Sequence, residues 1–112
     1  MTTIYHNPRC SKSRQTLALL GEHGIEPEVI EYLETPPSAA ELKEILNMLG
    51  IAPRDLLRKK EAREAGLNDP DMGDDALIEA MAANPIVIKR PIVVNNGKAA
   101  LGRPPESVVD IL

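Results

Sequence analysis

Along the chain, apolar positions change period from two to about 3.6 and back, and these changes mark the elements. Thr2–Tyr5 is a short β-prone run, ended as a strand by the loop His6-Asn7-Pro8-Arg9. A helix is predicted from Ser11 or Ser13 to His23, with Leu17 and Leu20 on one face and Gly24 as its stop. Glu28–Tyr32 alternates and reads as a second strand. Past Pro36-Pro37, Ser38-Ala39-Ala40-Glu41 matches a capping box. Leu42, Ile45, Leu46 and Leu49 then follow at i, i+3, i+4 and i+7, one buried helical stripe ending at Gly50. The charged stretch Arg54–Arg63 holds Leu56-Leu57. Asp74 is expected to cap a further helix carrying Leu77, Ile78 and Met81, which stops before Asn84-Pro85. Ile92–Val94 and Lys98–Leu101 flank Asn95-Asn96-Gly97, a hairpin signal, and Pro104-Pro105 opens a last helix.

The order is therefore β-α-β, helices, β-β-α. A crossover through the first helix makes the first two strands parallel, and the hairpin adds an antiparallel pair. The expected fold is α/β: a thioredoxin-like four-stranded mixed sheet flanked by helices, with a helical insertion between strand 2 and the C-terminal hairpin. The 112 residues suit one domain, 1–112. In thioredoxin-like sheets a cis-proline precedes the third strand and faces the cysteine loop. Pro91 is expected to fill that place, against the alternative of an ordinary trans proline at a strand start.

Composition narrows the function. Tyr5 and Tyr32 are the only aromatic residues, so there is no base-stacking platform, and a net charge of -4 argues against nucleic-acid binding. No run approaches a membrane span, and Met1–Tyr5 lacks the start of a secretory signal. The cytosol is the expected compartment and a monomer the expected state. One cysteine and two histidines in no ligand spacing leave no metal site expected, and no bound cofactor is expected.

Cys10, the one cysteine, stands where the first strand gives way to the first helix. Free N–H groups at a helix start favour a thiolate, and Arg9, Lys12 and Arg14 add positive potential. His6 lies four residues upstream in a loop able to bring it near. The alternative is a small buried hydrophobe, which the polar flanks Arg9, Ser11, Lys12 and Ser13 oppose. Cys10-Ser11-Lys12-Ser13 is Cys-x-x-Ser, so the second thiol of any disulfide must come from another molecule. A phosphatase-type loop wants an arginine six positions after its cysteine, where this chain has Thr16. Ser13 either donates to the Cys10 sulfur or caps the helix. Arg58, Arg90 and Arg103 suit a tetrahedral oxyanion if they converge on the thiol, and are otherwise solvated surface residues.

These segments match a known pattern. His6-Asn7-Pro8-Arg9-Cys10-Ser11-Lys12-Ser13-Arg14, Tyr32-Leu33-Glu34-Thr35-Pro36-Pro37, Leu56-Leu57-Arg58-Lys59, Arg90-Pro91-Ile92-Val93-Val94 and Gly102-Arg103-Pro104 resemble the glutaredoxin-dependent arsenate reductases across essentially the whole chain. The short bacterial arsenate reductase-like members are most similar in appearance. The resemblance implies that Cys10 attacks arsenate or a related oxyanion to form a thiol–arsenate adduct, with glutathione as co-substrate and glutaredoxin resolving the adduct to arsenite. It gives Arg58, Arg90 and Arg103 the role of binding the oxyanion and His6 that of lowering the cysteine pKa. Asn7, Ser13, Arg14 and Pro91 support the loop. Ser11-Lys12 departs from the Gly-Thr of the best-known members and adds a charge beside the nucleophile. Two other readings remain: a glutathione-linked thiol oxidoreductase without an arsenate role, and a redox-responsive regulator that binds RNA polymerase. Ser13 in place of a second cysteine disfavours the regulator, and three arginines exceed what plain thiol exchange needs.

Overall fold

The computed structural model describes Met1–Leu112, which divide into two compact units: Met1–Thr35 with Arg90–Leu112, and Pro36–Lys89.

The first unit holds the sheet. Strand β1 (Thr2–His6) runs into helix α1 (Ser11–Glu22), which returns the chain to β2 (Glu28–Glu31). Strands β3 (Ile92–Asn95) and β4 (Lys98–Leu101) form the hairpin. The spatial order is β2-β1-β3-β4. β1 pairs parallel with β2 and antiparallel with β3, so the sheet is mixed, as the element order predicted. Because β1 and β3 are central, their residues are mostly buried, Ile4 and Val93 completely. β2 is an edge strand, and the exposed carboxylates Glu28 and Glu31 on it discourage pairing with another chain. The core of this unit joins Ile4, Leu20, Val93 and Val108, with Leu17, Ile25 and Ile111 packed against them.

Several boundaries differ from the sequence reading. The hairpin turn is the two residues Asn96 (φ 51°) and Gly97 (φ 79°), because Asn95 extends β3 and pairs with Lys98. Two consecutive left-handed residues match the twist of the flanking strands, which is why Asn-Gly serves here. The last segment, Pro105–Ile111, is a 3-10 helix rather than an α-helix. Strand β2 ends at Glu31, and Tyr32 leaves the sheet edge to become almost wholly buried. The Arg90–Pro91 peptide is cis as expected, and Arg103–Pro104, which the sequence did not flag, is cis as well.

The second unit is helical. Helix α2 (Ala39–Leu49) carries the full capping box: Ser38 Oγ accepts from the Glu41 N–H at 3.1 Å, and Glu41 Oε1 accepts from the Ser38 N–H at 3.0 Å. Gly50 ends it in the left-handed conformation (φ 69°). The charged stretch resolves into a 3-10 turn (Pro53–Leu56) and helix α3 (Lys59–Glu64). Helix α4 (Asp74–Ala83) is capped by Gly73 and not by Asp74, which occupies the first helical position. Its carboxylate still suits the positive end of the helix dipole there. An antiparallel bridge, Leu57 to Ile88, ties the start and end of this stretch: the Arg58 N–H donates to Val87 O at 2.7 Å and the Lys89 N–H to Leu56 O at 2.8 Å. Leu42, Leu56, Leu77, Met81 and Val87 are fully buried in this unit.

Candidate active site

The segment from His6 to Arg14 is shaped by its own hydrogen bonds. The Cys10 N–H donates to Asn7 O at 3.0 Å, closing a turn over Pro8, whose fixed φ suits that position. Asn7 Oδ1 accepts from the Arg9 N–H at 3.0 Å, a side-chain turn of the kind asparagine favours. Arg14 Nη1 reaches back to Pro8 O at 2.9 Å. The loop is thus tied at both ends, and Cys10 becomes the N-cap residue of α1, with its carbonyl accepting the Arg14 N–H at 3.0 Å.

The electrostatics of Cys10 follow from that placement. Partial burial acts to raise its pKa. The Ser13 backbone N–H, the Arg90 guanidinium by hydrogen bonding and charge, and the Lys12 backbone N–H act against it. The net result is a thiol held below its ordinary range. The helix start therefore supplies its expected share. Lys12 acts through its backbone N–H and not through its charge, and neither the side chains of Arg9 and Arg14 nor His6 figure among the groups that lower the thiol.

Ser13 departs from both sequence alternatives. Its hydroxyl neither bonds to the sulfur nor caps the helix. Fully buried, it lies 2.6 Å from His6 Nδ1 and accepts the Asn7 N–H at 3.0 Å. The part of Ser13 that faces Cys10 is its backbone. His6, 6% exposed at the end of β1, is held below its ordinary pKa, chiefly by burial and also by Arg14, with Glu31 opposing. It is neutral at pH 7 and braces the loop through Ser13.

The three arginines differ. Arg90, two residues before β3, lies beside Cys10, and its Nε and Nη1 are buried without hydrogen-bond partners of standard geometry. Arg103 Nη1 donates to Arg90 O at 3.3 Å, which places Arg103 next to Arg90 in the same unit, and its side chain is exposed. Arg58 belongs to the second unit, where it pairs with Glu61 at 2.8 Å. Pro91 is buried, and a Cβ built on Gly102 would meet Pro91 Cγ at 2.7 Å and Thr16 Oγ1. The strand-start proline, the glycine after β4 and the second turn of α1 therefore pack in direct contact.

Sequence reasoning missed one residue. Tyr32 is 1% exposed, and its hydroxyl has no hydrogen-bond partner. Burial raises its pKa, Arg90 and Asn7 oppose that, and Cys10 adds to it. The phenol is therefore protonated at neutral pH and lies within electrostatic reach of the thiol. Its scarcity as one of two aromatic residues and its place at the head of the matched segment Tyr32–Pro37 were the signals available. No group of three or more His, Cys, Asp or Glu side chains is arranged to hold a metal.

Known proteins of the same build exist. The model of the ArsC family matches residues 5–111. The chain is 56% identical over 112 residues to the uncharacterised protein YfgD of Escherichia coli strain K12, covering 97% of this chain and 94% of that protein. It is 52% identical over 112 residues to an arsenate reductase of Neisseria meningitidis, covering 97% of this chain and 96% of that protein. A solved arsenate reductase from Vibrio cholerae superposes with a TM-score of 0.95 at 54% identity, covering 99% of this chain and 97% of the other.

Proposed function

We propose, from the premise that this chain belongs to the ArsC family, that it reduces arsenate to arsenite with Cys10 as the nucleophile. The observation that carries the reading is a thiol with a depressed pKa at a helix start, beside an arginine that has unused donors. A thiolate and an oxyanion repel unless fixed positive charge separates the cost from the approach, and Arg90 supplies that charge. Arg103, adjacent to Arg90, joins it in the oxyanion-binding set in this reading. Their planar forks match paired arsenate oxygens.

The chemistry runs in two stages. The Cys10 thiolate attacks arsenic(V), an As–S bond forms, and one arsenate oxygen leaves as water after protonation. Two electrons are then needed to reach arsenic(III). Cys10 has no second thiol beside it, so they come from outside thiols. Glutathione forms a second As–S bond as another arsenate oxygen leaves as water. A glutaredoxin thiolate then attacks the glutathione sulfur, forming a mixed disulfide while that As–S bond breaks and leaves its electron pair on arsenic(III). Hydrolysis of the remaining As–S bond releases arsenite and regenerates Cys10. No bound cofactor enters the cycle. His6, Ser13, Asn7, Arg14 and Pro91 hold the loop in which the nucleophile sits.

The test is arsenate-dependent NADPH oxidation coupled through glutathione, glutathione reductase and glutaredoxin. Turnover is expected for the unaltered protein and none for Cys10→Ser. Equal turnover in the two would falsify the mechanism. Turnover that persists when glutathione and glutaredoxin are replaced by thioredoxin and its reductase would reassign the electron donor.

A further inference from the structure

Three buried polar atoms in the sheet-bearing unit have no hydrogen-bond partner: Tyr32 Oη, Arg90 Nε and Arg90 Nη1. A folded chain rarely leaves such groups unmatched, because each gave up its water on burial and received nothing in return. Here the three are not scattered. Tyr32 and Arg90 interact with each other and with Cys10, the residue at the start of α1. Asn7 and Arg90 are both near the Tyr32 phenol, but neither makes a hydrogen bond of standard geometry with it. Each orphan can donate: a protonated phenol O–H, whose oxygen can also accept, and two guanidinium N–H groups. Donors grouped round one nucleophile are complementary to an acceptor with several oxygens.

We infer that the Tyr32 hydroxyl is a further substrate contact, donating a hydrogen bond to the oxyanion at Cys10 and forming with Arg90 Nε and Nη1 a three-donor face. The inference rests on reading Cys10 as the nucleophile toward an oxyanion. A phenol adds what a fourth arginine would not. It donates without charge, along one fixed direction set by a buried ring. It thereby favours a tetrahedral anion whose oxygens project to both sides of the arsenic–sulfur axis over a neutral disulfide, which offers no comparable acceptor. Tyr32 is not among the groups that lower the Cys10 pKa, so replacing its hydroxyl is not expected to deprive the thiolate of a stabilising donor.

The test separates binding from turnover. Cys10 is alkylated with iodoacetamide, without glutathione, at increasing arsenate concentration, in the unaltered protein and in Tyr32→Phe. The expected result is an unchanged alkylation rate without arsenate and a rise of about tenfold or more in the arsenate concentration that halves it, the loss typical of one hydrogen bond to a charged group. Tm is expected to hold or rise, since the variant removes a buried hydroxyl that nothing satisfies. An unshifted half-protection concentration overturns the inference, and so does failure of arsenate to protect the unaltered protein. A fall in Tm with unshifted protection shows the hydroxyl to be structural. Turnover with glutathione and glutaredoxin is read separately: protection without turnover removes the proposed reduction and leaves the Tyr32 contact standing.

Discussion

Ser13 Oγ lies 2.6 Å from His6 Nδ1 and 3.0 Å from the Asn7 nitrogen, and both contacts are buried. The hydroxyl accepts the Asn7 N–H; donating its own proton to His6 Nδ1 satisfies it fully, and in that arrangement the imidazole carries its hydrogen on Nε2. His6 thereby fixes the end of β1 to the first turn of α1, the junction that holds Cys10. Replacing Ser13 with Ala leaves both the Asn7 N–H and His6 Nδ1 unmatched. The expected cost is about 2 kcal/mol of stability, read by urea denaturation. The nitrogen-15 shifts of the imidazole are expected to report the Nε2–H tautomer in the unaltered protein only.

The buried, neutral His6 also sets a pH dependence. Its folded pKa lies below the ordinary value of 6.5, so between the two values the unfolded chain binds a proton that the folded one refuses. Stability from this residue is complete above about pH 6.5 and declines as the pH falls toward the folded value. Tm measured from pH 7.5 down to 5 is expected to drop, and His6→Asn is expected to flatten that drop.

Cys10 reactivity titrates with Arg90. Alkylation rate against pH is expected to give a midpoint below that of an ordinary thiol, because the Ser13 and Lys12 amides and Arg90 outweigh burial. Arg90→Gln removes the charge and is expected to move the midpoint upward, with the amides still holding it below that of a buried thiol without donors. A midpoint that does not move on this change contradicts the assigned role.

Arg103 and Arg58 are expected to behave differently from Arg90. Neither is among the groups that act on the thiol. Arg103→Ala should raise the KM for arsenate by about tenfold or more, and the alkylation midpoint of Cys10 should be unchanged in both Arg103→Ala and Arg58→Ala. Loss of thiol reactivity in either variant would point to a structural part in forming the loop.

Gly102 is required for its lack of a side chain. A Cβ there meets Pro91 Cγ at 2.7 Å and Thr16 Oγ1, so Gly102→Ala is expected to cost about 1–3 kcal/mol by overpacking. Combining it with Thr16→Ala should recover part of the loss, while the contact with Pro91 remains.

Much of this molecule is written in local pattern. The β-prone run Thr2–Tyr5, the Ser38–Glu41 capping box, the Leu42–Leu49 stripe and the Asn96-Gly97 turn specify elements through contacts within a few residues, and the element order then leaves few ways to pair the strands. Cys10 at a strand-to-helix junction was legible for the same reason. Boundaries that depend on what a segment packs against were not: the 3-10 conformation of Pro105–Ile111, the replacement of Asp74 by Gly73 as cap, and the division into two compact units all rest on contacts distant in sequence.

The sequence by itself determined a mixed four-stranded sheet and singled out Cys10 and the candidate arginines, because residue type and short-range spacing carry that information. Only the tertiary structure decided what each side chain does with its polar atoms. It turned the Ser13 hydroxyl to His6 and its amide to Cys10, set Arg90 beside the sulfur, and brought an unmatched Tyr32 hydroxyl to the same place. A hydrogen bond depends on direction and on the nearest available partner, and those are fixed only when residues 58 or more positions apart, such as Tyr32 and Arg90, share one buried volume.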